Sequence, residues 1–141
     1  MDNKEYSINE YHGEGTKPVV ESGEWSVGIK NYKSGNDINF FDYVEKHKLT
    51  DEVFILLQGK CVLLIDKSDG ACVDFTCIPL EPGKVYCIKK GIWHNAVVSQ
   101  DAKIILVENR DTSIANSEVL TLPKEKIESL RSDLKKRYFS S

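Results

Sequence analysis

Two apolar runs lying back to back constrain this chain more than any other feature. Val53-Phe54-Ile55-Leu56-Leu57 and Cys61-Val62-Leu63-Leu64-Ile65 are separated only by Gln58-Gly59-Lys60. Each run has the length and the branched-residue content of a strand. The short gap, with a Gly free to take positive φ, predicts a hairpin with a tight turn. Neither run alternates. A strand with one wet face is apolar at every second position, so both faces of these strands need cover. One face can line a barrel interior. The other calls for a second sheet, an arm of the same chain or another subunit, and a homodimer is the simplest supplier.

The rest of the 141 residues extends the same pattern. Residues 1–18 are poor in apolar side chains and read as an extended arm around His12-Gly13-Glu14-Gly15. Trp25-Ser26-Val27-Gly28-Ile29-Lys30 alternates large with small or polar residues, as a half-buried strand does. After the turn-forming Ser34-Gly35-Asn36-Asp37, residues 38–44 read as a second strand. Further strands are expected near 72–78, 85–88, 93–98 and 102–107, set apart by Gly, Pro and Asp turns. Many short strands at regular spacing indicate an all-β antiparallel barrel or sandwich, here over 19–110. Residues 108–120 read as a polar connector. From Pro123 the period changes: Ile127, Leu130, Leu134 and Tyr138 fall on one helical stripe, with Glu125 and Glu128 early and Lys135, Lys136 and Arg137 late. One C-terminal helix is therefore expected over 121–139, packed on the barrel as part of a single domain.

Composition excludes several function classes. At 40% hydrophobic and 29% charged residues the chain has the make-up of a globular domain. A formal net charge of -3 offers no broad basic surface for phosphates, so no nucleic-acid partner is expected. No apolar run approaches bilayer length and the first residues lack a signal-peptide core, so the expectation is a cytoplasmic protein without a membrane partner. Cys61, Cys72, Cys77 and Cys87 form no CxxC pair, which argues against a zinc knuckle or a dithiol redox site. Cys61 and Cys87 sit in apolar runs, where a thiol packs as a small hydrophobe.

Residues 45–98 resemble the two motifs of the cupin superfamily. In the first, G-x5-H-x-H-x(3,4)-E-x6-G, His47 matches the second His, Glu52 the carboxylate and Gly59 the closing Gly. In the second, G-x5-P-x-G-x2-H-x3-N, Gly83, Gly91 and His94 match at the family's spacings. Three positions depart: Glu45 stands where the first His is expected, Lys89 replaces the Pro and Val98 the Asn. The resemblance implies a cupin jelly roll, a double-stranded β-helix with a small-molecule site inside the barrel.

Within that fold Glu45, His47, Glu52 and His94 are the candidate metal ligands, since alternate residues on a strand share a face. Two imidazoles with one or two carboxylates form a borderline N/O set, suited to Fe, Mn, Ni, Zn or Co rather than Ca or Mg. Glu52, Glu45 and His94 are also the candidate acid/base groups. The resemblance implies a small polar metabolite as ligand (a sugar, a hydroxy acid or a ureido acid) and isomerase or lyase chemistry. Two rival readings stay open: a non-catalytic ligand-binding or sensor protein, and a metal-free sugar isomerase or epimerase.

Overall fold

A computed structural model describes residues 4–140. Its strands are β1 (Thr16–Ser22), β2 (Trp25–Asn31), β3 (Tyr43–His47), β4 (Glu52–Gln58), β5 (Cys61–Asp66), β6 (Phe75–Pro79), β7 (Tyr86–Ile88), β8 (His94–Val98), β9 (Lys103–Asn109) and β10 (Ser117–Thr121), followed by the helix α1 (Lys124–Arg137). They form two five-stranded antiparallel sheets, in the orders β1-β2-β9-β4-β7 and β10-β3-β8-β5-β6. The architecture is a jelly-roll barrel with one C-terminal helix.

The two apolar runs do become strands, but they do not pair with each other. β4 lies between β9 and β7 in one sheet, and β5 lies between β8 and β6 in the other. Gln58-Gly59-Lys60 is thus a crossing between sheets rather than a hairpin turn. Gly59 takes φ +75, and a Cβ there would fall within 2.8 Å of the Asp101 and Ser99 side chains and of the Ala102 backbone. Both the conformation and the close approach therefore require glycine.

Two cores result, one inside the barrel and one outside it. Phe54, Leu56, Cys61, Leu63, Ala96, Val98, Ile104 and Leu106 point inward and close the barrel interior. Val44, Val62, Leu64 and Val97 point the other way and meet Ile127, Leu130 and Leu134 of α1. Burying three such side chains contributes about 2 kcal/mol each, enough to fix a helix of this length that would be marginal alone. The cover for the outer face of β5 therefore comes from the chain itself. The outer face of the other sheet keeps the rows Val27–Val107–Val53 and Ile29–Ile105–Ile55, with Leu57 and Trp25 exposed. Only there does the expectation of a second subunit retain a basis.

Five further expectations need correction. The strand foreseen over 38–44 starts at Tyr43, because Asp37 accepts the amides of Asn39, Phe40 and Phe41 and holds the preceding residues in a turn. The connector over 108–120 contains β10, whose residues Ser117–Thr121 pair in register with His47–Tyr43. The arm ends earlier than foreseen, since β1 begins at Thr16; its first three residues lie outside the described range. Cys87 is exposed on β7 rather than packed in the core. The helix occupies 124–137, with Pro123 as its N-cap residue. No helix among the described residues is long and apolar enough to cross a membrane.

Candidate metal centre

Ionisable side chains collect at one end of the barrel because four inward-facing rows change character there. Along β4 the inward row runs Leu56, Phe54, Glu52; along β9 it runs Ile104, Leu106, Glu108. Along β8 it runs Val98, Ala96, His94, and β3 adds Glu45 and His47. Glu45 stands opposite His94 in the β3–β8 ladder. Strand alternation dictates that each set shares one face.

The geometry centres on Glu52. Its Oε1 lies 3.0 Å from His94 Nε2 and 3.4 Å from His47 Nε2. Glu45 Oε1 and Glu108 Oε2 each lie 4.0 Å from His47 Nε2. The two imidazoles meet edge to face, their centroids 5.4 Å apart. Their outward nitrogens are occupied: His94 Nδ1 donates to the Ile92 carbonyl at 2.9 Å, and His47 Nδ1 lies 2.9 Å from Ser117 Oγ. The carbonyl can only accept, so His94 carries a proton on Nδ1 and its Nε2 is the nitrogen available to ligate. Both Nε2 atoms therefore face the carboxylates.

Electrostatics shape this cluster strongly. Burial pushes the Glu52 carboxyl up, but the imidazoles of His47 and His94 beside it prevail and hold it well below the ordinary range. The same carboxylate raises His47 despite partial burial. Glu108 behaves oppositely: burial first, then the charge of Glu52, push it up to about 8. Like charges crowded in one site cannot all ionise, so Glu108 keeps its proton at neutral pH.

These residues fit a transition metal on their own terms. His47 Nε2 and Glu108 Oε2 are buried and lack a hydrogen-bond partner, an arrangement that costs free energy unless something else satisfies them. Ligand atoms of Glu45, His47 and His94 lie within 4.8 Å of one another, as do those of His47, Glu52 and Glu108. An imidazole and carboxylate donor set suits the borderline divalent ions.

No family model and no curated protein matches the chain. Solved structures do. A cupin-2 domain containing protein from Shewanella frigidimarina superposes with a TM-score of 0.51 at 22% identity, covering 73% of this chain and 85% of its own. The chain has the cupin fold. Streptomyces Pac13, in a variant solved with uridine, superposes on this chain with a TM-score of 0.58 at 10% identity, covering 89% of this chain and 96% of that one. A further structure describes Pac13 as a nucleoside dehydratase. The WlaRB TDP-quinovose 3,4-ketoisomerase from Campylobacter jejuni gives 0.51 at 20% identity and covers 72% of each chain.

All four residues singled out in the sequence converge, Glu45 included, although its carboxylate is the most open of the set at 33% exposure. Three residues of the interior carry no such signal in the sequence. Glu108 sits one alternation past the run that ends at Val107, where the inward row Ile104–Leu106 extends to a charged side chain. Ser117 orients His47 from a strand that the polar composition of 108–120 concealed. Lys30, on β2 of the sheet that also carries Glu52 and Glu108, lines the interior cavity.

Proposed function

We propose that this cupin binds a divalent transition metal (Fe, Mn, Ni, Zn or Co) among Glu45, His47, Glu52, His94 and Glu108, and acts on a small polar metabolite in the adjoining cavity. The observation that carries this reading is the pair of buried Nε2 atoms facing Glu52, with His47 Nε2 and Glu108 Oε2 left unsatisfied. A bound ion would supply Lewis acidity toward a carbonyl or hydroxyl oxygen. The chain's own groups would supply proton transfer. Glu108, raised to about 8 in the metal-free protein, would release its proton on joining the ion. Glu45 lines the cavity and is open enough to exchange a proton with a ligand there. Isomerase or lyase chemistry needs such groups, and the ketoisomerase and dehydratase among the fold neighbours support that class by analogy of fold.

The metal-free acid/base reading draws on the 3.0 Å contact between Glu52 and His94. It leaves His47 Nε2 and Glu108 Oε2 without partners, which is why the metal reading is preferred. A ligand-binding or sensor role would use the same centre without turnover. Metal analysis of protein purified without added metal tests the proposal. The expected content is close to one transition metal per chain. Chelation followed by readdition of zinc or cobalt in large excess should raise the melting temperature by about 10 °C. Absence of bound metal together with an unchanged melting temperature would refute it.

A further inference from the structure

The barrel interior holds a buried cation that the metal centre does not use. Lys30 lies on the inward face of β2, opposite Ile104 of β9, and is 7% exposed. Its Nζ donates to Asn36 Oδ1 at 2.7 Å. That is its one hydrogen bond among the described residues, and no carboxylate among them lies within 4.0 Å of it. An ammonium carries three donors, and its burial is costly unless it is paired. Here one neutral amide oxygen meets it.

The surroundings hold that ammonium in place. Asn36 is 1% exposed and donates to Asn95 Oδ1 and to the Ala96 carbonyl, both at 3.0 Å. Asn95 in turn donates to the Tyr43 carbonyl at 2.9 Å. These amides fill the gap beside the single β3–β8 register pair, so the Asn36 oxygen cannot swing away from Lys30. Burial lowers Lys30 to about 8, which leaves it protonated at neutral pH. Tyr43, on β3 of the facing sheet, lines the same cavity and offers a phenolic hydroxyl.

Lys30 and Tyr43 line a cavity of about 80 Å³ together with Glu45, Glu52 and His94. That space is of a size to take the carboxylate end of a small acid. Exposed Lys33 lines it too and adds a second positive charge along the way in. We propose that Lys30 and Tyr43 form an anion subsite that takes the carboxylate of a small acid, a hydroxy acid above all, and points its adjacent carbon or hydroxyl at the His47–Glu52–His94 cluster. The inference rests on the metal reading for the chemistry at that cluster. With Glu45 and Glu52 offset by a divalent ion, Lys30 is a buried cation in need of a counter-charge, and a substrate carboxylate supplies it.

Glycolate and its uncharged analogue glycolamide test the subsite by calorimetric titration of zinc-loaded protein. Glycolate is expected to bind at least tenfold more tightly than glycolamide. Lys30→Met is expected to weaken glycolate at least tenfold, leave glycolamide within twofold and leave zinc content unchanged. Lys30→Gln, which keeps a donor for Asn36, should repeat that loss if the methionine variant folds poorly. Glycolate binding no tighter than glycolamide in the wild-type protein overturns the proposal. So does glycolate affinity unchanged in both variants, which would place the carboxylate on the zinc alone. Should the protein take up no zinc, the metal reading falls by itself, and the same comparison on metal-free protein decides the subsite by the same criteria.

Discussion

Glu52→Gln is expected to lower transition-metal affinity by about 100-fold or more and to destabilise the metal-free protein by about 2–3 kcal/mol. Glu52 is the one carboxylate that both imidazoles face, 3.0 Å from His94 and 3.4 Å from His47. Glutamine keeps the shape and removes the charge, leaving His47 and His94 without their counter-ion. The loss should depend on pH in a defined way. Glu52 is depressed in the fold, so its contribution is present above the ordinary carboxylate value of 4.5 and disappears as pH falls. His47 is raised, so its contribution is present below the ordinary imidazole value of 6.5 and disappears as pH rises through its elevated value. The pair therefore stabilises most between about pH 4.5 and 6.5. Urea unfolding of metal-free wild-type and variant protein at pH 5.5 and 9 checks this: the deficit should be clearly larger at pH 5.5. An equal deficit at both would mean that the pair is not ionised as described.

Glu108→Gln should act with the opposite sign. The Glu108 carboxyl is raised to about 8, so the fold favours its protonated form. That preference adds stability below about pH 4.5 and is lost as pH rises through about 8. Glutamine mimics the protonated acid at every pH. Metal-free Glu108→Gln should therefore match wild type near pH 5 and exceed it by about 1–3 kcal/mol at pH 9. The lower figures allow for solvent screening of a side chain that is one-fifth exposed. With metal present the order should reverse, because the substitution removes a ligand from the group formed with His47 and Glu52. Metal affinity is expected to fall about tenfold. A variant less stable than wild type at pH 9 without metal would contradict the placement of Glu108 beside the other charges.

The sequence made the barrel legible because its signals are local. Runs of β-branched residues, Gly and Pro punctuation, and the helical stripe Ile127–Leu130–Leu134 each depend on a handful of neighbours. The pairing of β4 and β5 was not legible. A Gly-centred gap of three residues can close a hairpin or cross between sheets, and the contacts that decide lie with Ser99 and Asp101 some forty residues away. Alternation raised a similar ambiguity in β2. It groups Ser26, Gly28 and Lys30 on one face, yet cannot say that this polar face is the inner one; the pairing with Ile104, Leu106 and Glu108 does that. Lys30 is an interior charge that alternation alone does not reveal. At the centre, the matched spacings located His47, Glu52 and His94, and strand alternation added Glu45. Glu108 and Ser117 lie in a stretch whose polar composition concealed its role, because hydrophobic periodicity is blind to a strand that serves a polar site.

Zinc K-edge X-ray absorption on the zinc-loaded protein reads the ligands themselves. Nitrogen and oxygen neighbours at about 2.0–2.2 Å and no sulfur near 2.3 Å are expected. Outer-shell scattering from two imidazoles should fall to one in His47→Ala and in His94→Ala. A spectrum with a single imidazole or none in the wild-type protein, or one unchanged by either substitution, would contradict ligation by both histidines.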